Sequence, residues 1–443
     1  MPYIANTPEQ QEEMLRQIGR SMEELFSDIP PDQRSSGLDI PPGRTEQEVR
    51  DRLTRLAARN KIDLIGFLGG GFYDHFIPAA VPAIVSRSEF YTAYTPYQPE
   101  ISQGVLQAIY EYQSAICRLT EMEVANASLY DGGTALYEAV MMALRITGRS
   151  RVIVDDTVSP IYRTMIRTYT SNLGIELEET PSRDGLPDRE KLREHINDRT
   201  AAVVVQNPNF FGCLDEFSDL AALAHRHGAL LIVSCYPISL GLVKTPGAMG
   251  ADIVVGEGQS LGIPLCFGGP YLGFMATRQP YVRKMPGRIV GRTVDGQGRQ
   301  GFVLTLQARE QHIRREKATS NICTNEGLCA LTALVYLSLL GKQGLVELAK
   351  TCAEKASYAG GRLLEIRGVR MRFPQRYFFN EFVLELPVAA DRVIRRLLEQ
   401  AFAAGFPLVR YYPGMENSLL VAVTEKRTKE EIDLFAHALE MSL

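Results

Sequence analysis

The sequence lacks long apolar runs and blocks of like charge. No stretch of about 18 apolar residues is present, so no membrane span is predicted. The opening MPYIANTPEQQEEMLRQIG is polar and has no apolar core of the kind found in secretory signals. With a net charge of −4 and no basic run, the chain has no obvious surface for nucleic acid or anionic membrane. These absences predict a cytoplasmic protein with neither nucleic acid nor membrane among its partners.

Clustered cysteines and histidines are lacking too. The seven cysteines are odd in number and scattered, with no C-x-x-C spacing, which is typical of buried free thiols in a reducing compartment. His225 and His227 form the one close histidine pair, but residues two apart do not share a helix face. No metal site is predicted.

What the chain does contain is an alternation of apolar strands and amphipathic helices. At 443 residues it is too long for one ordinary core. A helix is predicted at 134–146 and another at 215–227, with Asp215 as its N-cap. Short apolar strands are predicted at 151–154, 201–205, 229–233 and 251–255. Continuous apolar strands between helices indicate an α/β fold with a mainly parallel sheet covered on both faces.

Different patterns flank this region. Residues 7–58 predict charged helices, the first with Thr7 as N-cap and Pro8 as its first residue. The last hundred residues predict a compact α+β unit, with strands at 381–386 and 418–423 and helices at 390–404 and 429–441. The predicted plan is an N-terminal helical arm at 1–60, a large α/β domain at 61–330 and a small C-terminal α+β domain at 331–443.

The first chemistry-bearing stretch is SLYDGGTALYEA, which places Gly132, Gly133 and Thr134 at a helix start. Backbone N–H groups there, with glycines that allow close approach, form a natural phosphate cradle. A tight turn entering a helix explains the same residues.

The second stretch is VVGEGQSLGIPLCFGGPYLGF, residues 254–274, in which two apolar strands enclose a glycine-rich turn and a proline. A segment of this form carries the reactive lysine in a large class of pyridoxal-phosphate enzymes. Schiff-base chemistry needs a primary amine, yet none of the ten lysines lies in this segment. The preceding strand ends at Ser234, where such enzymes usually have a carboxylate that pairs with the ring nitrogen. A small residue at a strand end is the alternative interpretation.

Two polar stretches complete the candidates. EFYTAYTPYQPEISQG, residues 89–104, has three tyrosines on a backbone stiffened by prolines, which indicates either a binding rim or packed rings. REKATSNICTNEGL, residues 315–328, carries hydroxyl and amide side chains that either cap helices or line a site.

Four stretches together resemble one family. YTPYQPEISQG, SLYDGGTAL, GIPLCFGGPYLGF and REKATSNICTNEGLCAL are similar to the P protein of the glycine cleavage system, glycine dehydrogenase (decarboxylating), and above all to its N-terminal half, which many bacteria make as a separate subunit 1. The resemblance implies a type I pyridoxal-phosphate-dependent transferase fold, like that of aspartate aminotransferase, in both halves, with the cofactor lysine in the other half.

The resemblance also locates what this chain is missing. Aligned on the shared Gly268-Gly269-Pro270, the family's lysine falls on Gln259, whose amide nitrogen cannot form an imine. With Ser234 at the aspartate position, two required groups are absent, so no catalytic residue is predicted in this chain. The resemblance implies that pyridoxal phosphate is held by the partner subunit and is not covalently bound to this chain, and that the Gly132-Gly133-Thr134 loop is vestigial.

The implied activity belongs to a complex. With the lysine-bearing subunit 2, the chain would decarboxylate glycine through pyridoxal phosphate and transfer the aminomethyl group to the lipoyl arm of H protein. An α2β2 heterotetramer is the family's habit. The residues expected at the partner's active site or its channel are Tyr94, Thr95, Tyr97, Gln98 and Glu100, followed by Thr319, Ser320 and Asn321.

Two alternatives stay open at this point. One is a self-sufficient pyridoxal-phosphate aminotransferase or decarboxylase that uses Lys244 or another lysine. The other is a structural or regulatory partner that contacts no reaction site.

Overall fold

The computed structural model describes residues 5–35 and 37–443, which form two compact units that divide between Ile62 and Asp63. The α-helices α1 to α14 are, in chain order, Pro8–Ile18, Met22–Leu25, Glu46–Ala57, Ala80–Val85, Ser88–Tyr91, Gln103–Thr120, Gly132–Thr147, Pro160–Thr170, Arg189–His195, Ser218–Arg226, Gln311–Arg314, Gly327–Leu364, Ala390–Glu399 and Lys429–Ser442. The strands β1 to β17 are Ile65–Gly66, Val124–Ala125, Arg151–Asp155, Glu176–Thr180, Ser182–Arg183, Leu186–Pro187, Thr200–Asn207, Leu230–Cys235, Ile253–Glu257, Gly273–Thr277, Ile289–Val294, Gln300–Thr305, Arg370–Met371, Glu381–Glu385, Phe402–Ala403, Phe406–Pro407 and Ser418–Ala422.

The first unit is helical, and its helices start where local capping places them. Thr7 accepts a hydrogen bond from the backbone N–H of Gln10, whose side chain accepts one from the backbone N–H of Thr7. The predicted cap at Thr7 and first helical residue at Pro8 are confirmed. Helices α2 and α3 begin with equivalent boxes at Ser21 and Thr45.

The second unit is built on a seven-stranded sheet in the order β2-β10-β9-β8-β7-β3-β4. Strands β4, β3, β7, β8 and β9 run parallel, and β10 pairs antiparallel with β9 and with β2. Every residue of β3, β8 and β9 is buried, as expected for strands covered on both faces. The predicted mainly parallel α/β sheet is confirmed.

Two hydrophobic cores lie on the two faces of this sheet. Val152 and Val154 of β3 point into the core that contains α7 and α8, whereas Ile153 points into the core that contains α10 and part of α12. Alternate side chains of one strand therefore enter different cores. This explains why the strands appear in the sequence as unbroken apolar runs.

The C-terminal sheet, β13-β14-β17-β16, packs against α13, α14 and the second part of α12. The predicted helix at 390–404 is wrong at its end, because α13 stops at Glu399 and Ala401 adopts a left-handed conformation with φ 65°. The next two residues form β15, which pairs in parallel with β1. A partner strand more than 300 positions earlier in the chain cannot be recognised from local periodicity.

The predicted start of the helix at 215–227 is also wrong. Helix α10 begins at Ser218, and the carboxylate of Asp215 instead contacts Arg189 at 3.0 Å and accepts the backbone N–H of Glu216 at 2.8 Å. An aspartate two positions before Phe217 resembles an N-cap in the sequence, but the ion pair holds it outside the helix.

Helix α12 passes residue 330, where a domain boundary was predicted, and that boundary stays a prediction. Gly341 interrupts the helix with φ 59° and ψ −172°. Among the described residues, α12 alone is long and apolar enough for a membrane span, a criterion that core helices of globular proteins also meet. Several side chains of its first part, including Tyr336, belong to the core beside the large sheet.

All seven cysteines are free thiols. Cys213, Cys235, Cys329 and Cys352 are buried, and Cys117 is partly buried. Cys266 and Cys323 are exposed, and both lie in loops. The prediction that the thiols are buried is therefore wrong at these two positions.

Candidate functional site

Three of the predicted positions, Gly132, Ser234 and Gln259, lie at one edge of the large sheet, where the carboxyl ends of β8 and β9 meet the start of α7. Ser234 lies near the end of β8, next to Gln206 of β7 in the register, and is buried. Gln259 follows β9 by two residues. In open parallel sheets this edge is where ligands bind.

The side chain of Gln259 is fully committed to internal hydrogen bonds. Its Oε1 accepts the backbone N–H of Tyr73 at 2.9 Å, and its Nε2 donates to the carbonyl oxygens of Tyr73 at 3.1 Å and Ile263 at 2.7 Å. The residue is 2% exposed. Gln259 thus fastens the segment around Tyr73 to the turn that follows β9.

The carboxylate of Glu257 occupies the start of α7. Its Oε2 accepts the backbone N–H of Gly132 at 2.8 Å, and its Oε1 accepts the N–H groups of Gln259 at 2.9 Å and Leu272 at 3.1 Å. Burial raises the pKa of Glu257 to about 8, although these three backbone donors act in the opposite direction. An internal carboxyl group therefore takes a donor that the cradle would offer to phosphate.

A second donor of the cradle, the N–H of Thr134, is also paired within the chain. Asp131 is the N-cap of α7 and accepts both the backbone N–H and the hydroxyl of Thr134, at 2.8 and 2.9 Å. A Cβ on Gly132 would lie 2.5 Å from the Tyr162 hydroxyl oxygen, and one on Gly133 would lie 2.4 Å from the Met165 sulfur. Close packing against α8 accounts for both glycines without a ligand, and that the loop is vestigial stays a prediction.

A glycine-rich segment at residues 69–71, which was not predicted to belong to the site, lies against this edge. The carboxylate of Glu381, on β14, accepts the backbone N–H of Gly70 at 2.6 Å and the Tyr73 hydroxyl at 2.9 Å. Burial raises the pKa of Glu381 to about 7, and a Cβ on Gly69 would lie 2.0 Å from its Oε1. The glycines at 69–71 therefore allow the chain to pass directly over a buried carboxyl group.

Little space is left between these groups. A cavity of about 30 Å³ is lined by Gly70, Gly71, Tyr73, Ser159, Tyr162, Gln206, Pro208, Ser234, Cys235, Tyr236 and Glu257. This volume holds about two water molecules. Pyridoxal phosphate needs a lysine amine, an anion cradle and a carboxylate near its ring nitrogen. In this chain Gln259 stands at the lysine position, Glu257 occupies the cradle, and Ser234 stands at the carboxylate position. Its residues therefore do not fit the cofactor.

A set of possible metal ligands includes His75, which follows the glycine-rich segment at 69–71, although no metal site was predicted from the sequence. Ligand atoms of His75, Cys352 and Glu425 lie within 4.8 Å of one another. Glu425 already accepts from His75 Nδ1 at 2.7 Å and from Cys352 Sγ at 3.5 Å, while His75 Nε2 contacts the hydroxyl of Tyr236. A metal ion would have to displace these bonds, which satisfy the buried groups without it.

The tyrosine-rich stretch forms a surface, which we call the YTPYQPE surface (residues 94–100). Tyr94 is 78% exposed and Tyr97 46%, and Gln98 and Glu100 are exposed as well. Thr95 instead has a buried hydroxyl without a hydrogen-bond partner among the described residues. A cavity of about 130 Å³ lies between this surface and residues 324–331, so the two polar stretches singled out in the sequence are neighbours.

The three second-choice residues are placed differently from one another. Ser320 donates to Glu138 of α7 at 2.7 Å, and burial raises the pKa of that carboxyl group. The backbone N–H of Thr319 donates to the Arg309 carbonyl at 3.0 Å, and Asn321 is exposed. Ser320 therefore has a structural contact of its own, whereas Asn321 is free to contact another chain.

Sequence reasoning missed the residues that fill the site, namely Glu257, Tyr73 and Glu381. Glu257 lies two positions before Gln259 in the motif GEGQ, so a carboxylate next to the lysine position was visible in the sequence. Its contact with the start of α7 was not. The partners of Tyr73 and Glu381 are distant in the sequence and gave no local signal.

The architecture defines a class of protein. The sphingosine-1-phosphate lyase of Burkholderia pseudomallei matches it with a TM-score of 0.66 at 15% identity, covering 94% of each chain. A NifS-like protein matches with a TM-score of 0.64 at 12% identity, covering 85% of this chain and 98% of its own. Likeness at such identities concerns the fold alone. The fold is the type I fold of pyridoxal-phosphate-dependent enzymes, as predicted.

Relatives of higher identity define the family. The family model described as glycine cleavage system P-protein matches residues 1–439. Proteins described as probable glycine dehydrogenase (decarboxylating) subunit 1 are 58% identical over 100% of both chains in Geotalea uraniireducens (strain Rf4) and 55% identical over 99% of both in Nitratidesulfovibrio vulgaris (strain DP4). A crystal structure of inhibitor-bound glycine decarboxylase (P-protein) has a TM-score of 0.93 at 48% identity, with 100% of both chains covered.

The chain therefore belongs to the glycine cleavage system P-protein family, and the resemblance stated from its sequence is confirmed. The predicted enzyme class, glycine dehydrogenase (decarboxylating), is confirmed with it. A self-sufficient aminotransferase is not favoured.

Proposed function

We propose that this chain is the subunit without the cofactor lysine in a two-subunit glycine dehydrogenase (decarboxylating). In this proposal pyridoxal phosphate is held by the partner, subunit 2, where it supplies the electron sink for glycine decarboxylation. The aminomethyl group passes to the lipoyl arm of H protein. The complex is an α2β2 heterotetramer in the cytoplasm, consistent with seven free thiols.

One observation carries the proposal above the others. At the edge of the sheet where a type I enzyme holds its cofactor, the side chains of Gln259 and Glu257 form hydrogen bonds with backbone groups of this chain. The edge is therefore closed by internal contacts rather than left open for a ligand. Relatives named subunit 1 share this chain's full length, which supports a role that depends on a second subunit.

We infer that the contribution of this chain lies on the YTPYQPE surface. Tyr94, Tyr97, Gln98 and Glu100 expose polar groups from a segment stiffened by Pro96 and Pro99. Packed against subunit 2, such a surface closes the partner's site, orients glycine and excludes water from the reacting centre. Asn321 and Thr319 lie on the neighbouring polar stretch and belong to the same proposal.

The direct test is reconstitution from separately purified chains. We expect this chain alone to bind no pyridoxal phosphate, to show no visible cofactor band, and to catalyse no glycine-dependent exchange of CO2. Mixed with subunit 2, it should restore both the cofactor band and the exchange activity. Borohydride reduction followed by peptide mapping should label a lysine of subunit 2 alone. A labelled Lys244, or activity of this chain by itself, would establish the rival enzyme instead.

A second test separates a shared active site from a purely structural role. Gln98→Ala in the reconstituted pair is expected to lower turnover about tenfold, the effect of one lost hydrogen bond to a reacting or bound polar group. Gln297, in the exposed turn between β11 and β12, offers a matched control, Gln297→Ala. Intact assembly with unchanged turnover in Gln98→Ala would favour the structural role.

A further inference from the structure

A buried arginine lies directly behind the YTPYQPE surface. The side chain of Arg288 is 3% exposed, and its Nη2 donates to the hydroxyl oxygen of Tyr97 at 2.7 Å. Its guanidinium carbon lies 5.2 Å from the centre of the Tyr97 ring. Buried arginines usually have their donors paired, but Nε and Nη1 have no hydrogen-bond partner among the described residues. The nearest carboxylate oxygen, Oε2 of Glu310, lies 3.8 Å from Nε.

The backbone around Arg288 is fixed from several sides. Its carbonyl oxygen accepts the backbone N–H of Ala127 at 2.8 Å. The preceding carbonyls are held as well: that of Gly287 by Arg309 at 2.9 Å and that of Pro286 by Asn126 at 3.0 Å. The guanidinium group is thus mounted on a rigid part of the fold, whereas Tyr97 is on an exposed loop.

The chemistry of this pair sets the direction of the Tyr97 hydroxyl. A guanidinium group has donors and no acceptor, so the phenol oxygen accepts and its O–H proton points away from Arg288. No second partner of that hydroxyl is found among residues 5–35 and 37–443. A cationic donor on the oxygen polarises the O–H bond and strengthens it as a donor. The favoured acceptor of such a group is an anionic oxygen.

We propose that Arg288 is a positioning residue that holds Tyr97 as an outward-directed hydrogen-bond donor to an anionic oxygen in the partner subunit's site. This inference rests on the proposed function, because it requires the YTPYQPE surface to face that site. The anion is a carboxylate or a phosphate ester, and two sources present this chemistry there: the carboxylate of glycine and the phosphate of the cofactor.

The test uses the reconstituted pair with Tyr97→Phe, Arg288→Lys and the double variant. Tyr97→Phe removes only the hydroxyl. We expect either the KM for glycine or the dissociation constant of pyridoxal phosphate to rise about 10- to 100-fold, as for a lost hydrogen bond to a charged group. Turnover at saturation should not fall by more than about threefold: a phosphate is held alike in ground state and transition state, and a glycine carboxylate loses its charge as CO2 leaves, so a hydrogen bond to it favours the ground state. Arg288→Lys should raise the same constant, because lysine does not reproduce the planar guanidinium geometry.

The two sources differ in which constant moves. A raised KM for glycine with unchanged affinity for pyridoxal phosphate assigns the carboxylate, and weaker binding of pyridoxal phosphate with unchanged KM assigns the phosphate. Because Arg288 acts through Tyr97, the double variant should be no worse than Tyr97→Phe. Arg151→Lys, at another buried arginine, and Tyr377→Phe, at a phenol that is 85% exposed, are the matched controls and should change neither constant.

Several results would overturn the inference. Both constants could be unchanged in Tyr97→Phe, or Arg288→Lys could behave as wild type, or the losses could add in the double variant. If Arg288→Lys fails to assemble, Arg288→Gln keeps an N–H donor without the charge and is expected to move the same constant. Failure of the proposed function is distinguishable, because the wild-type pair would then lack activity before any variant is made.

Discussion

Gln259→Leu is expected to lower the free energy of unfolding by at least about 3 kcal/mol, because it leaves three backbone groups unpaired in the interior at a cost of about 1–3 kcal/mol each. The substitution removes the partner of three backbone groups at once: the N–H and carbonyl of Tyr73 and the carbonyl of Ile263. All three lie around a side chain that is 2% exposed, so water cannot replace the lost bonds without local opening.

Urea unfolding at constant pH measures this effect, provided that the slope of free energy against denaturant is unchanged. Gln297→Leu makes the same chemical change in an exposed turn and should shift stability by no more than about 0.5 kcal/mol. Equal stabilities of the Gln259 and Gln297 variants would show that the amide at position 259 is not a structural clamp, and would reopen the site to a role in ligand binding.

The predictability of the fold follows from how local its causes are. The sheet was predicted because β3, β7, β8 and β9 are buried on both faces and so leave unbroken apolar runs in the sequence. The end of α13 was not predicted, because the residues that follow it form β15, which pairs with β1 from a distant part of the sequence. Tertiary pairing overrides helical propensity there.

The site divides in the same way. A missing lysine is a local fact, and Gln259 could be singled out from an alignment of one segment. What fills the space is a set of contacts between distant residues: Tyr73 is separated from Gln259 by 186 positions and from Glu381 by 308. The carboxylate of Glu257 is near in sequence, but only the geometry shows that it meets Gly132 across the sheet edge. The contact between Arg288 and Tyr97, 191 positions apart, likewise has no local signal in the sequence.

The unfolding free energy of the wild-type chain is expected to fall as the pH rises from about 5 to 9, with a contribution from Glu257 of about 3–5 kcal/mol at 1.36 kcal/mol per pKa unit. Burial, with a smaller contribution from the nearby Asp131, raises the pKa of this carboxyl group to about 8, from about 4.3 in an unfolded chain. Between those values the native state retains a proton that the unfolded state has lost. Stability from this group is therefore complete at low pH and is lost as the pH rises through about 8.

Glu257→Gln removes the titration while keeping the shape of the side chain, so its unfolding free energy should fall less steeply with pH. At pH 5 the variant should be less stable than wild type by about 1 kcal/mol, because its amide cannot accept at both former oxygen positions. At pH 9 the order should reverse, since wild type then carries an ionised, buried carboxylate. Urea unfolding at pH 5, 7 and 9 measures the crossing, with the exposed Glu399→Gln as a control that keeps the wild-type slope. Parallel curves for wild type and Glu257→Gln would mean that Glu257 is ionised throughout, as the permanent internal anion of the α7 start.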